Sequence, residues 1–120
     1  MRIVVGNLKG GVAKTTTAVY LALGLARTGR VLLVDADGTN ASAVDWSANA
    51  EDWPATVVVV PWAVPDLGRR VAAVAGDYDH IVIDTGPERG DLLRQALMVT
   101  DDLLVPVAPS RGAVNERRTK

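Results

Sequence analysis

Two lysines, two threonines and three acids stand where they could handle a polyphosphate. Lys9 and Lys14 share one short stretch, NLKGGVAKTTTA at residues 7–18, which also holds Gly10 and Gly11 and runs into Thr15 and Thr16. Asp35 and Asp37 close one apolar run, VLLVDAD, and Asp84 closes another, HIVID. Lysine ammonium groups bind phosphate oxygens as point charges. A threonine hydroxyl and a carboxylate are hard oxygen ligands suited to Mg²⁺. The stretch nevertheless misses the common phosphate-loop pattern G-x-x-x-x-G-K-[ST]. Counting back from Lys14, its two glycine places hold Ala13 and Leu8.

The elements that must position these residues alternate in type. Arg2–Gly6 (RIVVG) is a short apolar run ending in glycine, the pattern of a buried strand. Ala18, Leu21, Ala22 and Leu25 recur at helical spacing within Lys14–Thr28, and Gly29 is a natural stop. Val31–Asp35 is a second strand. Ala41–Ala50 is a helix with Asn40 as its N-cap candidate. Val57–Val60 is a third strand, shut off by Pro61. Pro65–Ala75 is a helix with Val64, Leu67, Val71 and Val74 on one face. His80–Asp84 is a fourth strand, Gly90–Thr100 a fourth helix, and Leu103–Val107 a fifth strand that Pro106 marks as an edge or a strand end. Strict alternation with short connections predicts an α/β fold, doubly wound, with a mostly parallel sheet of about five strands and helices on both faces. Ligands of such folds bind at the carboxyl ends of the strands. Those ends carry residues 6–13, 35–37 and 84–87, so three segments distant in sequence should gather on one edge.

A strand, a glycine-containing loop and a helix opening with Lys-Thr-Thr suit a phosphate chain. Backbone N–H groups over Gly10, Gly11, Val12, Ala13, Lys14, Thr15 and Thr16 would face the anion, and the helix dipole favours negative charge there. Glycine lets the backbone approach closely. Lys14 reaches the terminal phosphates and the Thr15 hydroxyl holds Mg²⁺. The bland alternative is a glycine-rich turn before an ordinary helix; the strand context, Lys-Thr-Thr and the downstream acids argue against it. Lys9 crowds Lys14, a repulsion that an anion carrying several charges would resolve. Asp84 ends an apolar strand, where an ionised acid is costly unless neutralised; Mg²⁺, usually through a water, would do so.

Composition narrows the class. The 120 residues suffice for one domain with a modest core. Apolar residues make up 48% and charged ones 22%, a globular, soluble balance, and the absence of Phe leaves the small branched residues typical of buried parallel strands. There is no cysteine, which excludes disulfides and thiolate metal sites. Met1-Arg2 leads straight into the first strand with nothing like a signal peptide, so a cytoplasmic location without a membrane partner is the expectation. Net charge is −1, but Arg111, Arg117, Arg118 and Lys120 face only Glu116 in the last ten residues. That basic tail could touch nucleic acid or an acidic partner, or be a solvated end. The body lacks the positive balance of an obligate DNA binder.

The pattern K-G-G-x-x-K-[ST]-[ST] is the deviant Walker A motif, and with it the chain resembles the ParA/MinD group of P-loop ATPases, most closely the short plasmid-type ParA partition ATPases. RVLLVDADGTNASAVDWS is similar to the group's second-strand segment with its Asp-x-Asp. YDHIVIDTGP resembles its Walker B strand and the start of switch II, and DDLLVPVAPS the following strand with its Pro-Ser exit. The resemblance covers about residues 1–110, read as one ATPase domain, with 111–120 as a basic tail. It implies ATP and Mg²⁺ as cofactors and an ATP-dependent homodimer that works as a switch in DNA partition. Lys9 would then reach the partner's phosphates, and Asp37 would be the water-positioning acid of switch I. It also implies a ParB-like or other adaptor and nonspecific DNA as partners. Such ATPases are roughly twice this long, so the fold is expected to be truncated, without the base-recognising half. A nucleotide-binding or interaction module without useful turnover is the alternative. A MinD-like membrane anchor needs an apolar face that RGAVNERRTK lacks.

Other conspicuous residues have structural readings. Trp46, Trp53 and Trp62 would cap the sheet's edge or pack on the switch I helix, with a base-stacking platform as the other reading. His80 has no second His and no Cys to form a metal site. Arg89 is either a solvated loop residue or a partner contact. Asp35 is either a functional acid or a strand-end acid bonded to nearby backbone.

Overall fold

In Val31–Ala36 every residue is buried, Asp35 included, and a strand buried on both faces must lie inside a sheet. The computed structural model describes residues 1–6, 14–37, 42–86 and 89–106, with Lys14 and Ser42 described by backbone only. Its elements are β1 (Arg2–Val5), α1 (Lys14–Leu25), β2 (Val31–Ala36), α2 (Ser42–Asn49), β3 (Val57–Pro61), α3 (Leu67–Val74), α4 (Gly90–Val99), with β4 (His80–Thr85) before α4 and β5 (Asp102–Leu104) after it. A single 3₁₀ turn, Ala75–Asp77, extends α3. The five strands are all parallel, in the order β3-β2-β4-β1-β5.

Side-chain alternation along the strands builds two cores. Ile3, Val5, Val31, Leu33, Val57 and Val82 pack with Ala18, Val19 and Ala22 of α1 and Ala43 of α2. Val4, Leu32, Val34, Ile81 and Ile83 pack with Leu67 and Val71 of α3 and with Leu92 and Ala96 of α4. The expected doubly wound architecture is thus present. From β1 the chain steps one way to β2 and β3 with α1 and α2 on one face. It then returns to β4 and steps past β1 to β5 with α3 and α4 on the other. Where the direction reverses, the carboxyl ends of β1, β4 and β2 form the edge at which such sheets bind ligands.

Several local expectations are revised. β3 ends at Pro61, as expected, but includes it as its last residue, in register with Asp35, and the Trp62 N–H donates to the Asp35 carbonyl at 3.0 Å. An edge strand tolerates proline because the missing N–H is not needed for the ladder. α1 ends at Leu25, and turn bonds such as Thr28 N–H to the Leu25 carbonyl carry the chain to Gly29. Gly29 is needed for close approach: a Cβ there would lie 2.5 Å from Asp79 Oδ2, the oxygen that accepts the Arg30 N–H. α3 begins two residues later than expected, at Leu67, and the face holding Leu67 and Val71 is buried as predicted. β5 stops at Leu104, ahead of Pro106, and is an edge strand. The Asn40 cap, Ala41, Val107 and the tail 111–120 lie outside the described residues.

The tryptophans are divided between the two faces. Trp46 and Trp53 pack on the α1/α2 core, Trp46 edge-on to Tyr20 at 5.8 Å, and Trp53 Nε1 donates to the Val57 carbonyl. Trp62 lies on the α3 side, with the Arg70 guanidinium 5.9 Å from its ring centre. His80 sits at the amino edge of the sheet, between the Met1 amino group (2.9 Å from Nδ1) and Thr28 Oγ1 (2.8 Å from Nε2). Among the described residues no three His, Cys, Asp or Glu converge on a metal position, and no helix is long and apolar enough to cross a membrane.

Candidate nucleotide site at the carboxyl edge of the sheet

Register places the acids. β1 pairs with β4 so that Val5 lies opposite Asp84, and β4 pairs with β2 so that Asp84 lies opposite Asp35. Partners in register on a parallel sheet project from the same face. Asp84 follows the alternation of Val82, and Asp35 that of Leu33, so both acids emerge on the α1/α2 side. β4 and β1 are locked together at this end by the Thr85 hydroxyl, which donates to the Val5 carbonyl at 3.2 Å.

α1 starts at the same edge. Thr15, its second residue, donates its hydroxyl to Asp84 Oδ2 at 3.1 Å, across 69 positions of sequence. Asp84 is fully buried. A buried carboxylate beside a hydroxyl offers hard oxygen donors. That set fits Mg²⁺, which takes few protein ligands and completes its shell with water and phosphate oxygens. Thr16 is exposed on the next position of the helix. Lys9, Gly10, Gly11, Val12 and Ala13 lie outside the described residues, as does the Lys14 side chain. The described chain leaves β1 at Gly6 and resumes at the first residue of α1, so the loop's two ends stand at this edge.

Asp35 is occupied by backbone. Its Oδ1 accepts the Asp37 N–H at 3.2 Å, and its Oδ2 accepts the N–H groups of Ala43 and Val44 at 3.1 and 3.3 Å. These two amides are at the second and third positions of α2, where a helix otherwise has unpaired donors. A side chain from β2 therefore does the work of an N-cap. Burial pushes the Asp35 carboxyl above its ordinary value of 3.8, against the amides of Val44, Asp37 and Ala43, which pull it down, and with Asp37 nearby adding to the rise. Between the two values the folded chain holds a proton that the unfolded chain has released. Stability therefore falls as pH rises through that window.

Asp37 follows β2 and is half-buried. It lies against the start of the segment after β4: a Cβ added at Gly86 would be 2.9 Å from Asp37 Oδ1 and 3.5 Å from its Cα. Glycine at position 86 leaves room for the Asp37 carboxyl beside it. Sequence reasoning did not single out this role of Gly86, for which the only hint was a glycine directly after a strand-end Asp-Thr; of its two readings of Asp35, the strand-end acid bonded to nearby backbone is the one seen, without the capping of α2 having been foreseen. Arg89 is engaged with Asp91 through two bonds, 3.1 and 3.2 Å, which hold the Asp91 carboxyl below the usual range. Both are exposed.

A family model described as an AAA domain matches residues 1–64 and 61–116. Among curated proteins, the maintenance of carboxysome distribution protein A of Halothiobacillus neapolitanus is 35% identical over 111 residues, covering 90% of this chain and 50% of the relative. The chromosome-partitioning ATPase Soj of Thermus thermophilus is 34% identical over 134 residues, covering 88% and 54%. Among solved structures, apo McdA from Cyanothece superposes with a TM-score of 0.74 at 22% identity, covering 98% of this chain and 62% of that one. Cobyrinic acid a,c-diamide synthase from Mycobacterium smegmatis, solved with an ATP analogue and magnesium, has a TM-score of 0.69 at 27% identity, covering 98% and 64%. The chain spans about half the length of the curated relatives it matches. Sequence motifs, sheet order and relatives agree: this chain belongs to the ParA/MinD group of P-loop ATPases.

Proposed function

We propose that the chain binds ATP with Mg²⁺ at the carboxyl edge of β1, β4 and β2 and hydrolyses it as a dimerisation switch in the partition of DNA or of another large cargo. The observation that carries this reading is the 3.1 Å bond from Thr15 to the buried Asp84, which joins the start of α1 to the end of β4 directly after a K-G-G-x-x-K-T-T sequence. The backbone N–H groups of Gly10, Gly11, Val12, Ala13, Lys14, Thr15 and Thr16 cradle the phosphates, and Lys14 neutralises their terminal charge. Thr15 and Asp84 hold Mg²⁺, which when bound supplies further charge neutralisation. Asp37 orients the attacking water. Phosphoryl transfer needs mostly positioning and charge neutralisation, which these groups supply.

Relatives named for chromosome partitioning and for carboxysome distribution suggest a cargo-positioning role in the cytoplasm, with a ParB-like or other adaptor and nonspecific DNA as partners. The second reading is a nucleotide-binding or interaction module without useful turnover.

Lys9 separates the two. A lysine serving its own loop acts within a monomer, whereas one that reaches a partner's nucleotide acts only when two chains meet. ATP with Mg²⁺, but not ADP, is expected to drive self-association. Lys9→Ala should block it while leaving ADP binding intact. Size-exclusion chromatography with light scattering, on both proteins and together with an ATP turnover assay, reads the result. A chain that stays monomeric with ATP at high concentration would move the binding-module reading ahead.

A further inference from the structure

We propose that Asp35 is a positioning residue, a staple that holds both ends of the switch I segment. This rests on the reading of Asp37 as the water-orienting acid. Residues 38–41 connect Asp37 to α2. On one side of them Asp35 Oδ1 takes the Asp37 N–H, and on the other Oδ2 takes the N–H groups of Ala43 and Val44. One buried carboxylate thus fixes the direction in which the chain leaves β2 and the point at which α2 begins. Asp35 itself cannot wander, because it is the fifth residue of a fully buried strand and is paired in register on both sides, with Pro61 and Asp84.

The arrangement has a consequence that an ordinary helix cap lacks. A cap needs only an acceptor facing the first turn of the helix. This carboxylate has a second acceptor committed to the backbone N–H of Asp37, whose side chain already abuts Gly86. Asp37 is therefore held by the Asp35 carboxylate at its N–H, while its carboxyl lies beside the start of the segment after β4. Movement of α2 would reach Asp37 through a single side chain, since the α2 amides and the Asp37 amide share it.

Asparagine divides the two functions. Its one carbonyl oxygen can still serve Ala43 and Val44, while its NH₂ would face the Asp37 N–H, donor against donor. In Asp35→Asn, hydrogen exchange of the Ala43 and Val44 amides should stay within about threefold of wild type. The Asp37 amide should exchange about tenfold faster, as expected for loss of one bond to a charged acceptor. Amides of Leu32 and Val34 report whether the core is intact. ATP turnover should fall about tenfold at nearly unchanged ATP affinity, the expectation for a positioning loss of about 1.4 kcal/mol. Asp35→Ala should expose all three amides. In the wild-type chain, which needs no variant to fold, the three amides should share one opening free energy. The staple is overturned if the Asp37 amide is unaffected by Asp35→Asn, or if the three wild-type amides open independently. Faster Asp37 exchange with unchanged turnover would leave Asp35 a structural clamp and overturn its positioning role. The Asp37→Ala variant then tells separately whether Asp37 itself matters to hydrolysis.

Discussion

Lys14→Ala is expected to lower ATP affinity by about 100-fold or more while the chain stays folded. An ammonium group bonded to phosphate oxygens makes the stronger, charge-assisted kind of hydrogen bond, about 1.5–3 kcal/mol each. Two such bonds suffice for the loss, at about 1.4 kcal/mol per tenfold. The fold should not suffer. Lys14 is the first residue of α1, and the helix is anchored through Ala18, Val19 and Ala22 on its buried side. Alanine is also the strongest helix former, so the helix start loses nothing. Titration with a fluorescent ATP analogue measures the effect, with circular dichroism as the control for folding. A folded variant that binds as tightly as wild type would remove the phosphate-loop assignment.

Asp37→Ala is expected to act on a different quantity. A side chain that orients water contributes to the reaction, not to holding the nucleotide. Turnover should fall by about 100-fold or more, the lower end of the range for a positioned general base, with ATP affinity changed by no more than about threefold. The backbone N–H that Asp35 accepts is retained in the variant, so the entry to α2 should persist. The ATP-bound state should accumulate and, with it, the self-associated form. Phosphate release and nucleotide titration on the same preparation decide the matter. Joint loss of binding and turnover would make Asp37 a metal-binding or structural residue.

Much of the architecture was legible because it depends on local pattern. VLLVDA and HIVIDT are continuous apolar runs, and such runs between helices imply parallel strands covered on both sides. That β5 is an edge was legible from Pro106, but its bounds were not: the strand is Asp102–Leu104, not Leu103–Val107. What escaped depends on partners far away in sequence. That Pro61 can itself be the last residue of β3 depends on β3 being an edge, and only the sheet order β3-β2-β4-β1-β5 shows that it is. Trp46 and Trp62 are close in sequence yet belong to opposite faces, because β3 lies between them and carries the chain from the α2 layer to the α3 layer. Asp35 could have been either of two things, and no spacing rule says that a strand-end acid will find the amides of residues 43 and 44. Thr15 and Asp84 were expected to meet because both were read as ligands of one Mg²⁺, at the edge where the loop before α1 and the end of β4 gather. Their 3.1 Å bond is a property of the register of β1 against β4 and of the placement of α1.

Binding of Mg-ATP at the carboxyl edge formed by β1, β4 and β2 can be tested on the chain itself. The most direct measurement is a titration of the ¹⁵N-labelled chain with Mg-ATP, followed by amide chemical shifts. Saturable shifts are expected to gather at Gly6, Thr15, Thr16, Asp37 and Asp84–Gly86, with Met1, Thr28 and His80 at the opposite edge left in place. Shifts concentrated around His80, or none at millimolar Mg-ATP, would contradict binding at the carboxyl edge.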